Sequence, residues 1–467
     1  MPDLSDIGSR TRAGSAVDLL RLHEANPTRY PFLLESAAEA SSAINRYSLL
    51  LSFPQQSLML NEEGLFDGSQ QLDETDFLQR LDREWHQNWL SKERLDPEQP
   101  FNGGWFIYLS YELAEQVEPS LRLPRSESAL PIAFAVRCPA AVVIDHQRNQ
   151  STLVVEPDHP DAASMLQQMQ EDIEQAAQQA SQARALPEVK AVHEDPDAIY
   201  LRSIDRIHNY LLSGDVFQVN LSRKWAIECA ETPRASLLYR NLRKANPAPF
   251  AGLFQWHNHA VISSSPERLI QVCGREVQTR PIAGTRPRKA YDEQERSALI
   301  GHPKERAEHI MLIDLERNDL GRVCEPGSVE VDELLGLESY SHVHHIVSNV
   351  RGRLRDTASP LDALRAVFPG GTITGCPKVR CMQIIAELEG VGRGPYTGAI
   401  GYLDRGGNMD MNILIRSLEL QGNNIIFRAG AGIVADSIGE AELQETRAKA
   451  TGLLKSLGLS EDTSAND

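Results

Sequence analysis

Over residues 200–457 helical segments alternate with short β-branched strands too irregularly for a clean βαβ series, and no internal repeat stands out. That pattern constrains the fold most. Ahead of it, from about residue 30 to 155, the chain is strand-like and loop-rich, with Pro31-Phe-Leu-Leu-Glu-Ser36, Tyr47-Ser-Leu-Leu-Leu-Ser52, Gly103-Gly-Trp-Phe-Ile-Tyr108 and Ala140-Ala-Val-Val-Ile144. These segments predict a sheet-forming N-terminal lobe. Between the two, residues 160–195 turn Gln/Ala/Glu-rich, with a helical apolar rhythm at Met165, Met169 and Ile173, and end in Pro187 and Asp195-Pro196. The expected organisation is a lobe over 1–155, a helical bridge and linker over 156–196, a main region over 197–457 and a disordered polar tail over 458–467. A chain of 467 residues forms two lobes or one large interleaved unit, with ample core in either case.

A formal net charge of -18 argues against nucleic acid or an anionic membrane as partner, because both need cationic patches. It also makes an anionic substrate awkward unless a metal or local Arg and Lys reverse the sign. The six cysteines, Cys138, Cys229, Cys273, Cys324, Cys376 and Cys381, show no CxxC or zinc spacing, as expected of reduced thiols in a cytoplasm. The first twelve residues carry mixed charges and no apolar core, and no run of eighteen apolar residues occurs. The expectation is a soluble, cytoplasmic protein.

Two glutamate pairs, Glu305/Glu308 and Glu442/Glu445, sit at i, i+3 in helical segments, so each pair shares one face. Each is either a solvated face or an oxygen-rich site of the kind that suits Mg²⁺. In the last helix Lys449 joins Glu442 and Glu445 on one wall. Ser264-Ser-Pro-Glu-Arg268 follows a strand and sets Glu267 beside a proline-fixed turn, where it serves as a desolvated general acid or as a turn residue paired with Arg268. The segment from Glu276 to Arg288 enters a rigid Pro/Gly turn carrying Arg280, Arg286 and Arg288, either grips for carboxylates or an exposed basic loop. Phe368-Pro-Gly-Gly-Thr-Ile-Thr-Gly-Cys-Pro-Lys-Val-Arg380 places glycines and threonines before a helix, where free N–H groups bind anions; without a Gly-Lys-Ser/Thr ending, a carboxylate fits better than a nucleotide. Gly430 and Gly432 in Arg428-Ala-Gly-Ala-Gly-Ile-Val434 let a ligand approach the backbone or mark a bulge. In Ser341-His-Val-His-His-Ile-Val-Ser348, His342 and His344 share one strand face while His345 lies on the apolar, inward face as a core or catalytic histidine.

These motifs, in this order from about residue 197 to 457, with Leu33-Leu-Glu-Ser36 and Arg46-Tyr-Ser48 before them, resemble the chorismate-binding enzymes: anthranilate synthase component I, aminodeoxychorismate synthase component I, and the isochorismate and salicylate synthases. The resemblance implies an α+β fold, a sandwich of two antiparallel sheets flanked by helices, with the site in the cleft between the sheets. It implies Mg²⁺ on Glu308 and Glu445, with Glu305 and Glu442 binding directly or through water, holding the ring carboxylate of chorismate. It implies Glu267 as the acid that protonates the departing 4-hydroxyl. His345, Thr372, Tyr396, Arg416, Gly430, Gly432 and Lys449 match substrate-contacting positions, as do Ala283, Gly284 and Thr285 in the Pro/Gly turn.

Gln218, in Ser213-Gly-Asp-Val-Phe-Gln-Val-Asn220, stands where water-adding relatives resemble one another in carrying a lysine base and ammonia-using relatives carry glutamine. The resemblance therefore implies amination by a transferase of nitrogenous groups without pyridoxal phosphate. A separate glutamine amidotransferase would supply the ammonia, since no Gly-x-Cys-x-Gly elbow occurs here. Ala283 replaces the lysine of many aminodeoxychorismate synthases, as in anthranilate synthases. Asn246-Pro-Ala-Pro-Phe250, Asp314-Leu-Glu-Arg-Asn-Asp-Leu-Gly-Arg-Val-Cys324 and Tyr396-Thr-Gly-Ala-Ile-Gly-Tyr402 resemble the aminodeoxychorismate type, which is the expected activity, with anthranilate synthase as the alternative. Glu35, Ser36, Pro247 and Phe250 resemble parts of the family's tryptophan pocket.

Overall fold

The structure, a computed structural model, describes residues 9–13, 17–38, 46–178, 185–287, 303–339 and 343–459. Among the described residues, two antiparallel sheets, each of twelve strands, are stacked face to face. The first runs through Ser9–Ala13, Gln150–Val155, Ala140–Asp145, Tyr47–Ser52, Phe32–Glu35, Phe250–Trp256, His259–Ser265, Ser417–Gln421, Asn424–Ile433, Gln218–Cys229 and Val189–Glu194. The second carries Ile282–Pro287, Val343–Arg353, Glu276–Thr279, Arg268–Cys273, Met409–Asn412, Ala399–Asp404, Gly104–Leu109 and Ala133–Cys138, then the hairpins from Ser57–Asn61 outward. Segments from both ends of the chain are hydrogen-bonded neighbours in each sheet: Leu33 pairs with Leu253 and Tyr108 with Ile400.

Period-two alternation sorts the side chains. Leu49 and Leu51 point between the sheets, where Phe32 stacks on Phe106 with ring centroids 4.1 Å apart, while Leu50 points outward under the helices. Because both faces are covered, the strands read as continuous apolar runs. Helices Leu19–Ala25, Ala162–Gln178, Ala235–Ala245 and Gly439–Ser456 cover the first sheet, and Phe77–Asn88, Pro303–Gly321 and Pro360–Val367 the second, giving four layers. The rhythm expected over 160–195 is a helix that buries Met169 and Ile173. It gives way at Val189–Glu194 to an edge strand paired with Gln218–Cys229. None of the described helices is long and apolar enough to cross a membrane.

Candidate active site

Glu267 sits where strand His259–Ser265 ends and Arg268–Cys273 begins, held by its own N–H to Ser265 Oγ and by its carbonyl to the Ile413 amide. It is 5 % exposed. Thr372 Oγ1 donates to its Oε1 at 2.8 Å. Burial pushes the carboxyl up to about 7, helped by repulsion from Glu316 and opposed by the Thr372 and Ile282 hydrogen bonds and the Lys449 charge. A substantial share of the carboxyl therefore keeps its proton near neutrality. Arg268 is not its partner: the guanidinium grips Asp410 through two bonds of 2.9 Å and lies over the Phe250 ring, because the register sets Arg268 opposite Asn412.

Arg416 adopts a left-handed backbone, φ 51°, which costs a non-glycine residue roughly 1 kcal/mol or more and is characteristic of functional sites. Burial lowers its guanidinium from the ordinary value, with Glu267 opposing the shift, so Arg416 and the acid face one another. Lys449 Nζ, from helix Gly439–Ser456, donates to the Gly430 carbonyl at 2.8 Å and pairs with Glu445 at 2.8 Å. Gly430 has no room for a side chain, since a Cβ would lie 2.7 Å from Tyr396 Oη. A Cβ at Gly432 would lie 2.1 Å from Gln218 Nε2, so the Gln218 amide nitrogen reaches in against that glycine. Gln218 is buried and its Oε1 accepts no hydrogen bond from the described residues.

Beneath these residues lies a charged cluster. Arg393 and Glu389, each with a side chain only 1 % exposed, pair at 2.7 Å, and Arg428 reaches Glu389 at 3.1 Å. Arg393 lies 5.5 Å from the Tyr396 ring centroid. Burial raises the Tyr396 hydroxyl to about 12, so it stays a neutral donor.

His345 is buried in strand Val343–Arg353, opposite Thr285 on one neighbouring strand and Glu338 on the other. A bulge falls between Ala283 and Thr285, at Gly284; these three side chains lie outside the described residues, as does His342. Of the turn arginines, Arg280 is taken by Glu333 at 2.7 Å and Glu338 at 2.8 Å, which removes it as a grip for a ligand. Arg286 and Arg288 lie outside the described side chains.

Glu305 and Glu308 belong to helix Pro303–Gly321 and Glu442 and Glu445 to helix Gly439–Ser456; the Glu305 side chain lies outside the described residues. Glu308 is half-buried and Glu442 9 % exposed. Among the described residues no three His, Cys, Asp or Glu side chains gather into a ligand set. Mg²⁺ needs no such set, since it binds through one or two carboxylates and keeps water. Burial first, then the nearby charges of Glu442 and Glu445, push the Tyr200 hydroxyl well up, so two carboxylates converge beside one tyrosine with Lys449 pairing one of them. That donor chemistry fits a hard divalent cation.

Away from the site, the chain at 35–37 runs beside 248–251: Glu35 pairs with Ala251, and the Ala37 amide donates to the Ala248 carbonyl at 2.9 Å, while the Ser36 amide goes to Ser48 Oγ. Glu35 is already engaged by Tyr239 Oη at 2.6 Å and Arg243 at 3.1 Å. The sequence reading passed over Glu316 and the Arg393–Glu389–Arg428 cluster. The only signal for Glu316 was its i, i+3 spacing with Asp319 in a segment that also reads as a solvated face.

The family model described as chorismate binding enzyme matches residues 30–455. The anthranilate synthase component I-like protein of Synechocystis is 41 % identical over 364 residues, 77 % of this chain and 73 % of its own. Aminodeoxychorismate synthase component 1 of Bacillus subtilis is 39 % identical over 376 residues, 78 % of each chain. Anthranilate synthase component 1 of Thermus thermophilus is 36 % identical over 446 residues, 95 % of each. Among solved structures, anthranilate synthase component I of Streptococcus pneumoniae superposes with a TM-score of 0.79 at 31 % identity, covering 89 % of this chain and 93 % of that one. The menaquinone-specific isochorismate synthase of Escherichia coli, at 19 % identity and a TM-score of 0.70 over 96 % of this chain and 95 % of that one, shares the fold.

Proposed function

This chain belongs to the chorismate binding enzymes, and we propose that it converts chorismate and ammonia to 4-amino-4-deoxychorismate, the ammonia coming from a separate glutamine amidotransferase subunit. The observation that carries amination is Gln218. A buried amide cannot act as a base toward water, but its unmatched Oε1 can accept a hydrogen bond from ammonia and so hold it. Glu267 gives its proton to the departing 4-oxygen, the C4–O bond breaks as the C4–N bond forms, and water leaves. The ammonium formed on the ring then sheds a proton that recharges the carboxylate. Arg416 and Lys449 meet the substrate's carboxylates, and Tyr396 and Thr372 line the same site. Glu308, Glu442 and Glu445, with Glu305, would hold Mg²⁺, which when bound supplies positive charge for the ring carboxylate.

The product assignment is supported by the 247–250 turn. Anthranilate synthases carry Ser and Tyr where this chain has Ala248, which is buried, and Phe250, which stacks on Arg268. The second reading, anthranilate synthase with tryptophan as regulator, is favoured by Ala283 and by relatives bearing that name.

Mass spectrometry of the products from the purified chain, chorismate, Mg²⁺ and an ammonium salt separates the two. Aminodeoxychorismate without pyruvate is expected; anthranilate with pyruvate, suppressed by millimolar tryptophan, would reverse the assignment. In the same assay Glu445→Gln is expected to abolish Mg²⁺-dependent turnover with an unchanged circular dichroism spectrum, and retained turnover would remove Glu445 from the metal set.

A further inference from the structure

Glu316 is a second buried carboxyl that the proposed chemistry leaves unused. It projects from helix Pro303–Gly321, is 5 % exposed, and lies against Gly371. The next residue of that loop, Thr372, donates to Glu267. Adjacent residues of one loop thus meet two carboxyls. Gly371 is needed for this approach, because a Cβ there would stand 3.2 Å from Glu316 Oε1 and 2.5 Å from Leu315 Cδ2.

The charges around Glu316 are few. On its own helix Asp319 repels it, and Lys378, from helix Lys378–Glu389, opposes that repulsion while being held by Asp319 and by the Val367 carbonyl. Burial, then Asp319, push its carboxyl up to about 7. His345 is buried on strand Val343–Arg353, which packs against this helix. Arg280 serves Glu333 and Glu338, His309 meets Ser348, Arg322 reaches Asp319 and Glu118, and the Cys376 thiol lies near Asp319. Glu267 in turn faces Glu316, Lys449 and Arg416.

We propose that Glu316 is a positioning residue for the general acid, a buried carboxyl that acts across the Gly371–Thr372 loop to keep the proton on Glu267. This rests on the reading of Glu267 as proton donor. Two carboxyls so linked shed their protons in coupled steps, the first loss making the second harder. Glu316 thereby widens the range of pH over which Glu267 can protonate a leaving group while ammonia, a base, becomes more abundant as pH rises.

The test is the pH dependence of kcat in Glu316→Gln and Glu316→Met, measured at constant free ammonia with saturating chorismate and Mg²⁺. Without the repelling charge, the falling limb is expected to move about one pH unit lower, so turnover drops about tenfold at pH 8 and stays near the parent's only at about pH 5. A merely structural glutamate would change turnover equally at all pH values. An unmoved limb in whichever variant folds, by circular dichroism, overturns the proposal. Glu267→Gln is measured alongside: retained turnover there would remove the proton donor itself, whereas its loss with an unmoved limb would remove only the role of Glu316.

Discussion

Glu267→Gln is expected to lower kcat on the order of 10²–10⁴-fold while stabilising the protein at pH 8. Glutamine keeps the acceptor for Thr372 Oγ1 and mimics the protonated acid in size and charge, but it has no proton to give. The stabilisation follows from linkage. Burial raises the folded carboxyl to about 7 against the ordinary 4.5. A carboxyl raised in the folded state costs nothing below its unfolded value. Its penalty grows as pH rises through that window and is complete above about 7, at roughly 3 kcal/mol. The variant should therefore melt several degrees higher than the parent at pH 8 and at the same temperature at pH 4. Thermal melts at the two pH values, paired with turnover at constant free ammonia, check both halves. Equal melting temperatures at pH 8 would mean that the carboxyl is already ionised without cost.

Arg393→Met is expected to be the most destabilising single change near the site, at about 3–5 kcal/mol, because it strands Glu389 in the interior. Although burial alone would push the Glu389 carboxyl up, Arg393 and Arg428 hold it below the ordinary range, so its stabilising contribution is present at neutral pH and fades as pH falls below the usual carboxylate value. Arg393 also donates to the Ile373 and Asn220 carbonyls, at 3.0 and 2.9 Å, and lies against Tyr111 and Tyr396. Methionine fills the volume and answers none of those acceptors. Urea denaturation of the single variants and of Arg393→Met/Glu389→Gln would close a double-variant cycle; the double variant should be more stable than Arg393→Met alone. Since Tyr396 rests on this arginine, KM for chorismate should rise in any Arg393→Met protein that remains folded.

The strands over 32–35, 47–52, 104–109 and 140–145 were readable in the sequence because local apolar patterning and the burial of both faces agree there. Glu267 was readable because a proline-fixed turn ends its strand. Its partner was not: Arg268 is its neighbour in the chain, yet the guanidinium turns to Asp410, which only long-range strand register could reveal. Glu316 was hidden for a related reason. Helix Pro303–Gly321 buries Leu312, Ile313, Glu316, Asp319 and Leu320 together, so it carries no simple apolar stripe, and the polar members are covered by a loop some fifty residues further on. Strand Val189–Glu194 was masked by the helical rhythm and prolines around it, since edge strands are set by what they pair with.

The order of strands within the first sheet also decides when this protein can fold. Strands Ser417–Gln421 and Asn424–Ile433 lie between His259–Ser265 and Gln218–Cys229, so the middle of the sheet is filled by segments made long after both of their neighbours. A nascent chain emerging from the ribosome therefore leaves the facing edges of those two strands bare until residue 433 is out, and neither member of the Gln218–Gly432 contact has a place to sit before then.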